Sequence, residues 1–470
     1  MKDKKRRLTF MRKYFGTDGI RDIANINLTP ELAFRVARAG ASVLAKNNGK
    51  MPTILVGKDT RISGDLLESA MVAGFLSVGA NVKLLGVIPT PVVSYLVVEE
   101  KADAAVVISA SHNSYEYNGI KFFSDKGMKL SDEIETEIEN LIEDEEALHK
   151  LNVGYNKIGR VVNAEELNKK YEDYIVKIFN ELPKLANKLK NSDENFRIAI
   201  DTANGATYKI AEKIFEKLNI DYKIINNSPN GININDKCGS THLEMLQKYV
   251  LDNKFSLGIA YDGDGDRMLA VDSEGNILDG DCILAIISKY MKEKGKLSND
   301  TVVATVMSNM GLDEFTFNNE INLKRTKVGD RYVLEEMLDG GYNLGGEQSG
   351  HIILKDYNNT GDGILTSLTV IKILLEKSME STDILKTFQK YPQILVNVTI
   401  DNEKKKYYND NKVISDAIGE LDKFFNGKGR ILVRPSGTEP LIRVMIEGKD
   451  IDCITKKANE LADLIRENLK

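Results

Sequence analysis

Short strands rich in β-branched residues alternate with amphipathic helical segments along most of this chain, and this alternation limits the fold more than any other feature. TILVG at 53–57, NVKLLGVI at 81–88 and AAVVIS at 104–109 are apolar runs of strand length. Helical spacing of apolar residues follows Thr29-Pro30, a typical helix start, and follows Ser63-Gly64. Strands that alternate with helices form parallel or mixed sheets covered by helices. The sequence therefore predicts an α/β fold.

The pattern restarts along the chain, which indicates several domains. At 470 residues the chain is about three times the usual domain length. Strands that end in polar loops recur at 197–205, 256–266 and 301–309, and an acidic helix is predicted near 132–148. After about residue 378 the pattern becomes that of a smaller α+β domain. We expect domains at 1–156, 157–256, 257–378 and 379–470.

The composition excludes several classes of protein. The chain is 42% hydrophobic and 29% charged, with a formal charge of −6, which is ordinary for a globular protein and argues against a nucleic-acid partner. No apolar run approaches 18 residues, so no membrane span is expected. KDKKRR at 2–7 lacks a following apolar segment and is expected to be a solvated extension. Three scattered cysteines favour a reducing, cytoplasmic location.

A serine follows one of the buried strands directly. Residues 106–113 read VVISASHN, which places Ser111 next to His112 at the end of the strand. A hydroxyl beside groups that can transfer protons, on a rigid support, is typical of a nucleophile. Ser, His and Asn also occur in ordinary turns, so this motif alone does not identify a nucleophile and has to be considered together with the motifs that follow.

An acidic, glycine-rich loop follows another strand. In DGDGDR at 262–267, Asp262, Asp264 and Asp266 alternate with two glycines. Three carboxylates on such a loop favour a hard cation such as Mg²⁺, because their charges repel one another without it. An EF-hand is excluded, since Arg267 and Ser273 stand where that loop needs Gly and Glu.

Further polar loops are candidates for binding phosphate and sugar. RPSGTEPLIR at 434–443 combines guanidinium, hydroxyl and backbone N–H donors suited to a phosphate group. GGEQSGH at 345–351 offers hydroxyl partners, while KVGDRY at 327–332 and FGTDGIR at 15–21 add basic side chains. Each of these loops alone is also compatible with a plain turn, and His149 and His242 are expected to be solvated.

Together these motifs resemble the α-D-phosphohexomutase superfamily, in the same order and over nearly the whole chain. The resemblance runs from FGTDGIRD at 15–22 through ISASHN, DGDGDR, KVGDRY and GEQSGH to RPSGTEPLIRVMIEG at 434–448. GEQSG and KVGDRY are typical of the branch that acts on glucosamine phosphates and feeds UDP-N-acetylglucosamine and cell-wall precursor synthesis. One position departs from the family, since Ser114 stands where Pro is common.

The resemblance implies a four-domain fold around a central cleft. Three related mixed α/β domains would be followed by a smaller, TATA-binding-protein-like domain. It also implies an isomerase that moves a phosphoryl group between the 6- and 1-positions of a sugar through a phosphoserine and a 1,6-bisphosphate, with sugar 1,6-bisphosphate as activator. The oligomeric state would be monomer or homodimer.

The resemblance assigns a role to each site residue. Ser111 would carry the phosphoryl group and, with Asp262, Asp264 and Asp266, hold one Mg²⁺. Arg21 would supply charge, and Lys121, with His112, would transfer protons. The substrate-binding residues would be Lys327, Arg331, Glu347, Ser349, His351, Arg434, Ser436, Gly437, Thr438 and Arg443.

Other functions stay open from the residues alone. A phosphomannomutase or phosphoglucomutase would use the same machinery on a different sugar. A simple Mg²⁺-dependent phosphatase would release phosphate, and a sugar-phosphate sensor would keep the binding groups but lose the chemistry.

Overall fold

The computed structural model describes residues 13–16, 18–45, 50–189, 196–408, 410–436 and 440–469. The basic segment at 2–7 lies outside the described residues, as do Gly437 and Thr438. The chain divides into two compact units. Unit 1 comprises Met1–Met307 and Asn322–Ile384, and unit 2 comprises Ser308–Ile321 and Leu385–Lys470.

The first sheet contains seven strands, and its central members are the predicted apolar runs. Its strands are β1 (Phe15–Gly16), β2 (Gly19–Ile23), β3 (Thr53–Lys58), β4 (Asn81–Val87), β5 (Ala104–Ile108), β6 (Tyr117–Ser124) and β7 (Val161–Asn163). Their order is β1-β2-β6-β5-β3-β4-β7. All five residues of β5 are buried, which explains its uninterrupted apolar sequence.

Several helices of this part of the chain begin at a side-chain cap. They are α1 (Pro30–Leu44), α2 (Gly64–Ser77), α3 (Thr90–Glu99), α4 (Asp132–Glu143), α5 (Glu145–Lys150), α6 (Asn168–Ile178) and α7 (Leu182–Leu189). Thr29 caps α1 by accepting from the Leu32 N–H, as expected. The acidic helix expected near 132–148 is two helices instead, because Asp144 leaves helical geometry and caps α5 by accepting from the Ala147 N–H.

Two further sheets complete unit 1. The second contains β8 (Arg197–Asp201), β9 (Asp221–Ile225), β10 (Leu257–Tyr261), β11 (Met268–Asp272) and β12 (Ile277–Leu278), with helices α8 (Ile210–Lys217) and α9 (Glu244–Asn253) between its strands. Helix α10 (Gly280–Glu293) leads into the third sheet, whose strands are β13 (Thr301–Thr305), β14 (Asn322–Thr326), β15 (Leu344–Gly346) and β16 (Ile352–Leu354). Strands β10–β12 belong to the same sheet as β8 and β9 although they follow the boundary expected at 256, and the four predicted domain ranges remain a proposal.

Unit 2 contains an antiparallel sheet with helices. Helix α11 (Met310–Asn318) belongs to it, whereas α12 (Asp330–Gly340), α13 (Gly363–Lys377) and the start of α14 (Asp383–Thr387) belong to unit 1. The sheet comprises β17 (Gln393–Thr399), β18 (Gly429–Pro435) and β19 (Leu441–Gly448), with β19 in the middle. The remaining helices are α15 (Asn402–Lys405), α16 (Lys412–Phe425) and α17 (Ile451–Asn468). This is the smaller α+β part that the sequence predicts.

The three sheets of unit 1 share one local arrangement, and it carries the motifs. In each sheet a parallel strand turns into an antiparallel neighbour: β5 into β6, β10 into β11, and β15 into β16. The three connections hold Ser111, the acidic loop and the GEQSGH loop, respectively. The three polar loops therefore occupy equivalent places in three similar sheets.

No described helix is long and apolar enough to cross a membrane.

Candidate active site

Ser111 lies at the start of the β5–β6 connection in an unusual backbone conformation. Its φ is +53°, in the left-handed region that non-glycine residues seldom adopt, and the residue is 1% exposed. Such a conformation costs about 1–3 kcal/mol and persists only where the surroundings hold it. The Ser111 Oγ donates a hydrogen bond of 2.6 Å to Asp262 Oδ2, which joins the first and second sheets' loops.

The three aspartates of the acidic loop converge as predicted. One carboxylate oxygen from each of Asp262, Asp264 and Asp266 lies within 4.8 Å of the others, and all three residues are buried. Gly265, with φ +69°, permits the tight turn between them, and a Cβ at this position would lie 2.4 Å from Thr207 Cγ2. Asp264 Oδ1 and Asp266 Oδ1 are buried without a hydrogen-bond partner. Orphaned buried carboxylate oxygens of this kind fit a hard divalent cation.

The electrostatic environment differs among the aspartates. Burial, together with the charges of Asp266 and Asp264, raises the pKa of Asp262 well above its usual range. Burial also raises the pKa of Asp264, but Lys121 outweighs this effect and holds the pKa below its usual range. Lys121 Nζ donates to Asp264 Oδ2 at 2.9 Å, and the Thr90 hydroxyl donates to the same oxygen at 2.7 Å.

Lys121 is a buried ammonium. It is 1% exposed on β6 and also pairs with Asp18 at 2.9 Å. Burial lowers its pKa, but Asp18 and Asp264 raise it above its usual value. Lys121 is therefore protonated at rest and is a proton donor rather than a base in this state.

Arg21 and His112 complete the surroundings of Ser111 that the sequence predicts. Arg21 donates to Asp18 at 2.5 Å and lies 3.5 Å from Asn113 Oδ1. His112 Nδ1 is 3.4 Å from Ser111 Oγ. Burial and the charges of Arg267 and Arg21 lower the pKa of His112 to about 4, so its imidazole is neutral near pH 7.

A largely buried chain of acidic and basic side chains connects the KVGDRY and GEQSGH loops to the acidic loop, and sequence reasoning missed most of it. Lys129 bridges Asp18 and Asp330, with a separation of 2.5 Å to Asp330. His351 follows, with Nε2 3.4 Å from Asp330 and Nδ1 3.5 Å from Asp266. The Gly361 N–H donates to His351 Nε2 at 2.9 Å, which leaves the proton on Nδ1, toward Asp266.

His351 is bound by protein groups, and its predicted substrate-binding role remains a prediction. It is 2% exposed and lies against Asp266 of the acidic loop. Glu347 and Ser349 of the same loop are partly exposed, as a sugar-binding role requires. The Gly329 N–H donates to Glu347 Oε1 at 3.0 Å, so the KVGDRY and GEQSGH loops are in contact.

The two basic residues of KVGDRY differ in their surroundings. Lys327 is exposed, with Nζ 5.9 Å from the centroid of the Tyr332 ring. Arg331 pairs with Asp132 on α4 and with Glu335 at 3.0 Å. The structure gives Arg331 protein partners, and its substrate-binding role remains a prediction.

The predicted phosphate loop lies in unit 2, between β18 and β19. Arg434 and Arg443 are directly opposite in the strand register. Ser436 is 7% exposed, and its carbonyl oxygen accepts from Lys405 Nζ at 2.7 Å. Burial and the charge of Arg443 lower the pKa of Arg434, the expected effect of two guanidinium groups held side by side.

Four family models match consecutive parts of the chain. They describe the phosphoglucomutase/phosphomannomutase alpha/beta/alpha domains I, II and III and the C-terminal domain, and they match residues 12–149, 170–275, 279–391 and 395–464. The chain belongs to the phosphoglucomutase/phosphomannomutase family. The four-domain phosphohexomutase architecture expected from the sequence is confirmed, and the protein is a mutase.

Curated relatives of this mutase are similar over their whole length. The chain is 52% identical to the phosphoglucosamine mutase of Caldicellulosiruptor bescii over 98% of this chain and 100% of the relative. It is 53% identical to that of Clostridium acetobutylicum over 97% of this chain and 99% of the relative.

Solved structures share the fold of this mutase at low identity. A putative phosphomannomutase from Thermus thermophilus has a TM-score of 0.76 at 21% identity, covering 96% of this chain and 98% of the other. N-acetylphosphoglucosamine mutase from Aspergillus fumigatus, in complex with GlcNAc-6P and magnesium, has a TM-score of 0.68 at 18% identity, covering 97% and 96%.

Proposed function

We propose that this mutase is a phosphoglucosamine mutase that interconverts glucosamine 6-phosphate and glucosamine 1-phosphate. The reaction proceeds through a phosphoserine at Ser111 and glucosamine 1,6-bisphosphate, and a sugar 1,6-bisphosphate is the activator that loads the serine. The observation that carries the proposal is the 2.6 Å hydrogen bond between Ser111 Oγ and the acidic triad. Relatives about half identical over nearly the full chain carry the same name.

Asp262, Asp264 and Asp266 would hold one Mg²⁺ together with an oxygen on Ser111. The two orphaned buried oxygens of Asp264 and Asp266 support this assignment, as does the magnesium in the fungal relative's structure. When bound, the cation neutralises charge on the phosphoryl oxygens.

The transfer itself exchanges one P–O bond for another. The bond between Ser111 Oγ and phosphorus breaks as phosphorus bonds to the 1-hydroxyl oxygen of glucosamine 6-phosphate, and the hydroxyl proton ends on Ser111 Oγ. The 1,6-bisphosphate then turns over, its 6-phosphoryl returns to Ser111, and glucosamine 1-phosphate is released. Such transfer depends on alignment and on charge neutralisation.

Side chains of the site have separate tasks in this scheme. Lys121, protonated at rest, donates a proton to the departing Ser111 Oγ and takes the sugar's proton in exchange, with the neutral His112 as the second candidate. Arg21 supplies positive charge to the phosphoryl group. Glu347 and Ser349 bind sugar hydroxyls.

The phosphate-binding role of Arg434, Ser436, Thr438 and Arg443 stays a proposal. It is supported by two guanidinium groups that face each other on β18 and β19. A dianionic phosphate would relieve the repulsion between them.

The test compares turnover of glucosamine 6-phosphate, mannose 6-phosphate and glucose 6-phosphate under identical conditions, with Mg²⁺ and glucose 1,6-bisphosphate present. The proposal expects the highest kcat/KM on glucosamine 6-phosphate. A preference for mannose 6-phosphate or glucose 6-phosphate would assign the enzyme to another branch. Net phosphate release as the main product would identify a phosphatase, and no turnover of any sugar would indicate a sensor.

Ser111→Ala tests the nucleophile in the same assay. Loss of all turnover is expected, with Ser69→Ala as the control, because Ser69 is an exposed serine on α2 whose hydroxyl bonds only its own helix. Full activity of Ser111→Ala would overturn the mechanism.

A further inference from the structure

The connection between β5 and β6, here called the Ser111 loop, is held by a buried arginine that belongs to none of the motifs. Arg61 lies in the connection that follows β3, and its side chain is 0% exposed. An arginine carries five side-chain N–H donors in a rigid plane. Arg61 uses all five within unit 1.

Four of these donors bind backbone carbonyls of the Ser111 loop. Nη2 donates to Ser111 O at 3.0 Å and to Asn113 O at 2.8 Å. Nη1 donates to Tyr117 O at 3.0 Å and also to Ser114 O. One guanidinium plane therefore fixes the loop from its nucleophile to the start of β6.

The fifth donor connects Arg61 to Asp59, which fixes the other side of Ser111. Arg61 Nε donates to Asp59 Oδ2 at 2.9 Å, and the Ser109 hydroxyl donates to the same oxygen at 2.6 Å. Ser109 Oγ in turn accepts from the Ser111 N–H at 3.0 Å. The backbone of Ser111 is thus held at both its N–H and its carbonyl by one network.

A second anchor comes from another sheet. Asn235 Nδ2 donates to Ser111 O at 2.8 Å and to Asn113 O at 3.0 Å, from the segment between β9 and α9. Asn235 is 6% exposed. The same two carbonyls therefore accept from two side chains far apart in the sequence.

We propose that Arg61, supported by Asp59 and Asn235, is a positioning residue that holds Ser111 in its left-handed conformation and so aligns Oγ for phosphoryl transfer. This inference rests on the proposed function, because alignment of Oγ matters only if Ser111 carries the phosphoryl group. The left-handed φ of Ser111 would otherwise relax, and displacement of a reacting atom by about 1 Å can cost about 100-fold in rate.

Arg61→Lys is the informative variant. Lysine keeps the positive charge beside Asp59 but offers one ammonium in place of a five-donor plane, so it cannot reach four carbonyls at once. Arg38→Lys is the matched control, since Arg38 is also buried in unit 1 and donates to the Leu148 carbonyl and to Asn152, away from the loop. Both variants lose buried hydrogen bonds, but only one loses the anchor of Ser111.

The experiment measures kcat and KM for glucosamine 6-phosphate, the rate of Ser111 phosphorylation by glucose 1,6-bisphosphate, and the thermal unfolding midpoint. For Arg61→Lys we expect kcat and the phosphorylation rate to fall by about 100-fold, with KM changed by less than about threefold. Arg38→Lys is expected to lower the midpoint and to leave kcat within about threefold of the wild type. Equal kcat values in the two variants would overturn the inference.

Asn235→Ala keeps the inference testable if Arg61→Lys does not fold. It removes two donors to the same carbonyls, and we expect about a tenfold loss of kcat with little change in KM. Unchanged kcat in Asn235→Ala would then count against the positioning role. Wild-type enzyme without mutase activity would instead refute the proposed function, so the two failures are distinguishable.

Discussion

Lys129 provides the most quantitative test of the buried charge network. Its ammonium bridges Asp18 and Asp330. The side chain of Lys129 is 13% exposed, that of Asp18 is 23% exposed and that of Asp330 is 13% exposed. Lys129→Met keeps the length of the aliphatic stem but leaves two carboxylates without their shared cation. Loss of one partner from a buried ion pair costs about 3–5 kcal/mol, and the partial exposure of Asp18 favours the low end, about 3 kcal/mol.

The matched control is Lys170→Met. Lys170 is 47% exposed and pairs with Glu100 at 2.5 Å, so its removal should cost about 0–1 kcal/mol. At about 2 °C per kcal/mol, Lys129→Met should lower the unfolding midpoint by about 6 °C and Lys170→Met by less than about 2 °C. Scanning calorimetry of the two purified variants measures both values. Equal shifts in the two variants would refute the assignment of Lys129 to a buried network.

The difference in unfolding midpoint between the wild type and Lys129→Met should also depend on pH. Burial raises the pKa of Asp18 and of Asp330, but Lys129 and the other cations outweigh it and hold both pKa values below the usual range. This stabilisation is therefore present above about pH 4 and is lost as the pH falls through the lowered pKa values. In the variant Asp18 keeps Lys121 and Arg21, whereas Asp330 loses its largest cationic neighbour. Burial then shifts the pKa of Asp330 upward, so its protonation relieves the unpaired charge. The gap in unfolding midpoint should narrow between pH 7 and pH 4.5, and a gap that widens would contradict the reasoning.

Two further predictions concern the acidic loop. Gly265→Ala places a Cβ 2.4 Å from Thr207 at φ +69°, whereas Gly341→Ala has nearly the same φ, +68°, and nothing within 4 Å. Gly341→Ala should lower the free energy of unfolding only by the backbone strain, about 1 kcal/mol. Gly265→Ala should lower it by more and should also reduce kcat, and thermal unfolding and the mutase assay measure the two effects. Equal losses of stability in the two variants would contradict the packing argument. Removal of Mg²⁺ with a chelator should abolish turnover reversibly, and Asp266→Asn should raise the Mg²⁺ concentration needed for half-maximal activity by at least about tenfold, while an unchanged requirement would exclude Asp266 as a ligand.

The sequence predicted the parts of the site that follow the strands directly. Ser111, the acidic loop and the GEQSGH loop each occupy a connection between a parallel strand and its antiparallel neighbour, which the apolar runs and the polar residues after them indicate. Asp262, Asp264 and Asp266 converge because the loop is short and glycine-rich, a local property that the sequence shows.

The supporting residues could not be predicted in this way, because tertiary packing of the loops brings together residues that are far apart in the sequence. Lys129 and Asp330 are 201 positions apart, and Asn235 and Ser111 are 124 positions apart. Arg61 follows a strand within an ordinary polar turn, and only its geometry shows that it binds four carbonyls of the Ser111 loop. Two motif residues, Arg331 and His351, are bound by other side chains of the protein, which their chemical type does not reveal.

Detection of a phosphate group on Ser111 is the most direct test of the proposed mechanism. The enzyme is incubated with glucose 1,6-bisphosphate and Mg²⁺, and peptide mass spectrometry locates the modification before and after excess glucosamine 6-phosphate is added. We expect one phosphate on Ser111 that is discharged to the sugar at a rate consistent with kcat. A phosphate on another residue, or full turnover by an enzyme that never carries phosphate on Ser111, would contradict the proposal.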